Sequence, residues 1–134
     1  MNDRKEVQTK LAKGLLDIIV LQNLRTKPMH GYQMITQIRK SFGVYFGPSS
    51  IYPLMAQLEE KGYIRSEWNV ESERPRKVYK LTSEGLAFLN FTENSFNLLC
   101  QKIGASSPVA DNQSQAAIAL QPPKKSLATP MIKR

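Results

Sequence analysis

Residues 48–62, reading PSSIYPLMAQLEEKG, carry the tightest local constraint in the chain. Ile51, Leu54, Met55 and Leu58 recur at i, i+3, i+4 and i+7, the spacing of one buried helix face. Pro53 stands inside that stripe. Proline has no N–H and is tolerated only near a helix start, where that N–H would be unpaired in any case. The helix is therefore expected to begin at about Ser49 or Ser50, with a serine capping its first turn. Lys61–Gly62 closes it. The positions off the stripe, Ser49, Ser50, Tyr52, Pro53, Ala56 and Gln57, are mostly small or polar, so the start of this rod is predicted to face away from the core.

The flanking segments give it neighbours. An apolar pattern of Leu11, Leu15, Ile18, Ile19 and Leu21 predicts a helix from about Lys10 to Leu24, after a flexible stretch over 1–9. Pro28 prevents its continuation. A second helix is expected over Gly31–Phe42, with Ile35, Ile38 and Phe42 on the core face, Met34 beside them and Gly43 as the stop. Residues 63–70 alternate, with Ile64, Trp68 and Val70 mainly on one face, and read as a half-buried strand. Residues 71–75 are a polar turn and 76–81 the returning strand. Thr82 is a good cap for a last helix reaching about Ile103. Its apolar residues, Leu86, Phe88, Leu89, Phe91, Phe96, Leu98, Leu99 and Ile103, exceed what one face can bury. The surplus predicts a partner helix, most simply from a second copy of the chain. Residues 105–134 hold four of the eight prolines, no aromatic residue, and four Lys or Arg against Asp111 alone, the composition of a disordered basic tail.

Charge and sparse chemistry narrow the function. Nineteen Lys and Arg against eleven Asp and Glu give +8 in 134 residues. Such a surplus favours a polyanionic partner, either nucleic acid or an anionic membrane surface. Cys100 and His30 are the single residues of their types, which argues against a disulfide or a metal site and fits a reducing, cytoplasmic compartment. The longest apolar run, Leu15–Leu21, is interrupted by Asp17 and falls far short of the ~20 residues a span requires. The opening MNDRKEVQTK lacks the features of a signal peptide. Glu59, Glu60, Glu67, Glu71 and Glu73 fall on faces expected to be exposed, with no metal-ligand spacing, phosphate-binding glycine loop or nucleophile–base pair, so no enzyme and no cofactor is expected.

Helix, helix, helix and hairpin in this order make a mainly α fold with a small β-hairpin, the winged helix-turn-helix, here with an added C-terminal helix. The expected organisation is 10–81 for that domain, 82–104 for a dimerisation helix and 105–134 for the tail. A major groove about 12 Å wide admits one helix, which the preceding helix braces across the backbone. Ser49, Ser50, Tyr52 and Gln57 are the candidates for DNA contact on the third helix, and Gln57 has the paired donors and acceptors that read adenine. Arg74, Arg76 and Lys77 cluster at the hairpin, where phosphate contacts are made. Tyr32 opens the second helix and has a phenol to offer a phosphate. His30 reads as a structural hydrogen-bonder.

The chain resembles the PadR family of transcriptional regulators in HGYQMITQIRKSFG (30–43), PSSIYPLMAQLEEKGYIRSEW (48–68) and RKVYKLTSEGLAFL (76–89). The resemblance implies a winged-helix homodimer joined through its terminal helices, which places Leu11, Leu15, Phe88, Phe91, Phe96 and Leu99 at the dimer interface. It implies a repressor on a palindromic operator, with double-stranded DNA contacted by Tyr32, Ser49, Ser50, Tyr52, Arg74, Arg76 and Lys77. It also implies a small aromatic effector at the dimer interface, for which some members use a tryptophan on the last helix. Here the single tryptophan, Trp68, is on the first wing strand, and the last helix offers Phe88, Phe91 and Phe96. The alternative from another class is a winged-helix module for protein–protein assembly, with non-specific DNA binding only.

Overall fold

The computed structural model describes residues 3–71 and 73–104. The elements in chain order are α1 (Asp3–Gly14), α2 (Leu16–Thr26), β1 (Met29–His30), α3 (Gly31–Phe42), α4 (Pro48–Glu60), β2 (Ile64–Asn69), β3 (Arg76–Leu81) and α5 (Ser83–Lys102). The expected tail at 105–134 lies outside the described residues.

The mainly helical fold is as expected, and the sheet has one strand more than the hairpin alone. β3 is central, paired antiparallel with β2 on one side and with the two-residue β1 on the other. Met29 pairs with Tyr79 and His30 with Val78. A two-residue strand has no periodicity to read, which is why it is invisible in the sequence.

The N-terminal region also differs. The stretch expected to be flexible is helical from Asp3 onward, and the single helix expected from Lys10 is two. Leu15 sits at the joint, its N–H shared between the carbonyls of Leu11 and Ala12, both at 3.1 Å. Gly14 costs helix stability at this point. The apolar pattern runs through the joint, but of α1 only Ala12 is buried and Leu11 is exposed, whereas α2 turns Leu16, Ile19, Val20, Leu21 and Leu24 to the core.

That core gathers Val20 and Leu21 of α2, Met34 and Ile38 of α3, Ile51, Met55 and Leu58 of α4, Ile64 of β2 and Leu89 of α5. Each buried aliphatic side chain stabilises the fold by roughly 1.5–3 kcal/mol. Val44 and Phe46 are buried between α3 and α4, so the turn is pinned. Gly43 ends α3 in the left-handed region at φ 71, as its position suggests. Phe42, expected on the core face, is 47% exposed, because the chain turns at Gly43 and Val44 and Phe46 fill the space instead.

The chain divides into two units, residues 1–93 and 94–134, with the boundary inside α5. In the first, Arg25 and Gln22 of α2 hold Glu93, at 2.9 and 2.7 Å. The Phe88 ring stacks on Tyr63 at 4.2 Å. In the second, Phe96, Leu98, Leu99 and Ile103 are exposed along the end of α5 and the turn after it.

Candidate nucleic-acid interface

α4 starts one residue earlier than its proline suggests, and it starts without a side-chain cap. Its N-cap is Gly47, Pro48 is the first helical residue, and neither Ser49 nor Ser50 occupies the capping position. Pro53 therefore lies inside the helix, and the Ser49 carbonyl has no N–H four residues on to receive. Ser49, Tyr52, Pro53, Ala56 and Gln57 are exposed and Ser50 is half-buried, while Ile51, Met55 and Leu58 are buried. The polar start is thus turned outward by its own apolar stripe.

Glu59 ties the far end of this helix to the wing. Its Oε2 accepts from both the N–H and the hydroxyl of Ser66, at 3.1 and 2.7 Å. Read from the sequence as an exposed charge, Glu59 is half-buried. β2 then returns through β3, which brings Arg76 and Lys77 alongside α3.

An open cleft of about 650 Å³ lies between the start of α3, α4 and the wing. Five of the eight residues expected to touch DNA line it together: Tyr32, Tyr52, Arg74, Arg76 and Lys77. Ser49, Ser50 and Gln57 lie on α4 outside the cleft lining. Residues not singled out for contact complete the walls, notably His30, Trp68 and Tyr79. Trp68 was expected to be half-buried and is 63% exposed, because only the first residue of its strand, Ile64, reaches the core. Lys77 Nζ lies 5.9 Å from the Trp68 ring centre. Val70, on the same expected face, is exposed too.

Gly31 explains how tightly this cleft is built. A Cβ there would clash with the Tyr52 ring, so the backbone at the start of α3 lies close against that side chain. Burial, then Glu59 and Tyr52, push the Tyr79 phenol up, so it stays protonated.

His30 caps α3. Its Nδ1 accepts from the Gln33 N–H at 3.3 Å, and Gln33 Oε1 accepts from the His30 N–H at 3.0 Å. The structural role expected of His30 is therefore seen in its geometry. Its other ring nitrogen, Nε2, lies 2.9 Å from Arg76 Nη1. Burial and the Arg76 charge both hold the imidazole below its ordinary pKa.

The residues expected at a dimer interface fall into two groups. Leu15 and Phe88 pack against the protomer's own core. Leu11, Phe91, Phe96 and Leu99 are exposed, by 61%, 68%, 37% and 57%. Among the described residues, no helix is long and apolar enough to cross a membrane.

An outward-facing helix start, a brace helix before it and a basic wing beside it define the winged helix-turn-helix class of regulators. Residues 20–90 match the model of the transcriptional regulator PadR-like family, and the chain belongs to that family. It is 30% identical over 94 residues to a transcriptional regulator of Mycobacterium tuberculosis, covering 69% of this chain and 87% of that one. Among solved structures, a PadR family transcriptional regulator from Eggerthella lenta is similar at a TM-score of 0.67 with 36% identity, covering 71% of this chain and 83% of that one. Bacillus subtilis PadR, solved in complex with operator DNA, is similar at a TM-score of 0.53 with 25% identity, over 57% of this chain and 44% of that one. The protein is a transcriptional regulator and not an enzyme.

Proposed function

We propose that this regulator binds double-stranded DNA as a homodimer and represses transcription from a palindromic operator in the cytoplasm. One observation carries the reading: Tyr32, Tyr52, Arg74, Arg76 and Lys77, drawn from three separate stretches of sequence, line one open cleft beside the exposed start of α4. The similarity to a PadR solved on its operator supports it. In this arrangement the wing cations and Tyr32 take backbone phosphates, and the exposed side chains of α4, Gln57 among them, approach base edges. Net charge of +8 adds long-range attraction to the duplex.

Random-site selection for bound duplex tests this directly. A two-fold symmetric consensus with half-sites roughly 34 Å apart is expected. Binding that shows no preferred sequence and collapses steeply with salt would instead favour the assembly-module alternative.

The homodimer rests on the exposed apolar residues of α5 and, separately, on Val7 and Leu11 of α1. Leu99→Asp places an unpaired charge in such an interface. It is expected to weaken self-association about 100-fold or more, read by sedimentation, while the protomer stays folded. The family resemblance adds a flat aromatic effector at that interface, and a screen of planar aromatics that leaves operator affinity unmoved would remove it.

A further inference from the structure

The contact between His30 and Arg76 is poorly satisfied by the protein alone. While Nδ1 accepts the Gln33 N–H and caps α3, the neutral ring carries its proton on Nε2. That N–H points at Arg76, whose guanidinium has donors only, across 2.9 Å. In the other tautomer Nε2 accepts from Arg76, but Nδ1–H then faces the Gln33 N–H and the cap is lost. In either state one of the two contacts sets donor against donor. An acceptor lying between the ring and the guanidinium satisfies both donors and leaves the cap in place. The surroundings suit an anionic acceptor. The titratable and charged groups lining the cleft are Arg74, Arg76 and Lys77 of the wing, Tyr32 of α3, Tyr52 of α4 and Tyr79 of β3. No carboxylate is among those lining residues. Glu59, which influences Tyr79, is not among the lining residues and is engaged by Ser66.

We infer that Nε2 of His30 and the Arg76 guanidinium together seat one phosphodiester of the DNA backbone. The inference rests on the DNA-binding reading above and adds His30 to it as a ligand. A non-bridging phosphate oxygen accepts from Nε2–H and from Arg76 at once. Its negative charge also offsets the repulsion between Arg76 and a protonated ring. The imidazole pKa, held down in the free protein, therefore rises in the complex. With the bound pKa above the free one, binding takes up protons in the window between the two values, and affinity increases as pH falls. One proton limits the gain to about tenfold per pH unit.

Because His30 is the single histidine in 134 residues, its ring signals are identifiable in the full chain without assignment work. The test titrates them by proton NMR between about pH 5 and 8, with and without a mixed-sequence duplex at low salt. In parallel, duplex affinity across that range is measured for wild type and for His30→Asn. Asparagine keeps the cap but has no nitrogen that reaches the Arg76 site. The expected result is an upward-shifted titration on the duplex. His30→Asn is expected to lose about tenfold in affinity at neutral pH and to show a flat pH profile. A histidine titration unmoved by a duplex that binds normally would overturn the inference, whatever the variant does, and would leave the DNA reading standing. Absence of any duplex binding by wild type would refute the DNA reading itself, and the phosphate seat with it.

Discussion

Two helix starts in this protein are built on opposite plans. At the head of α5, Thr82 accepts from the Gly85 N–H at 2.9 Å and donates its hydroxyl to the Gly62 carbonyl at 2.7 Å. Its own N–H reaches the Tyr63 carbonyl at 3.1 Å. Gly85 is buried, and a Cβ there would lie 1.9 Å from the Tyr63 oxygen. That end is closed by the protein itself. At the head of α4 the capping position is a glycine with no side chain to offer, and Ser49, Tyr52 and Pro53 are exposed around it. No side chain closes this start: Pro48 has no N–H to satisfy, and those of Ser50 and Ile51 both reach the Gly47 carbonyl at 3.0 Å. The contrast separates a terminus closed by a side chain and the neighbouring turn from one that has no side-chain cap and, on the DNA-binding reading proposed above, faces the duplex.

Substitutions at the two starts should therefore fail in different ways. The largest effect is expected for Gly85→Ala, which forces α5 off the α4–β2 turn. A loss of about 3 kcal/mol in denaturant unfolding is expected, and DNA affinity of the folded fraction should not change. Arg76→Ala, on the open side, is expected to weaken binding about tenfold for every duplex tested and to lower the salt slope by about one, with unfolding unaltered. Thr82→Ala removes a cap and should cost about 1 kcal/mol of stability, again without touching DNA. The smallest effect is the sharpest on the comparison. Ser49→Ala should alter stability by less than about 0.5 kcal/mol, since Ser49 caps nothing. A loss as large as that of Thr82→Ala would make the two ends alike.

Much of this was legible in the sequence where a local rule governs it. The stripe Ile51, Leu54, Met55 and Leu58 turned α4 the right way, with Leu54 half-buried and the others buried. Gly43 and the order of the wing strands were likewise readable. What escaped was set by tertiary contact. The cap of α4 is Gly47, because the buried Val44 and Phe46 fix the turn before it, and two serines in sequence cannot announce that they come two and three residues too late. Trp68 reads as half-buried by alternation, but a wing projects beyond the core and only its base is covered. His30 was legible as a hydrogen-bonder, whereas its approach to Arg76 depends on β1 pairing with β3, forty-six residues apart in the chain. Among the expected contact residues, five converge on the cleft because the hairpin folds back over α3, a long-range event with no local signature.

The open-start reading has one direct measurement. Backbone amide hydrogen exchange, followed residue by residue on the full chain with and without bound duplex, reports which helix start the DNA covers. Protection is expected at 47–57, at the start of α3 and in the wing around Arg76, with the head of α5 at 82–86 unchanged. Protection gained at 82–86 while 47–57 exchanges as freely as before would contradict it.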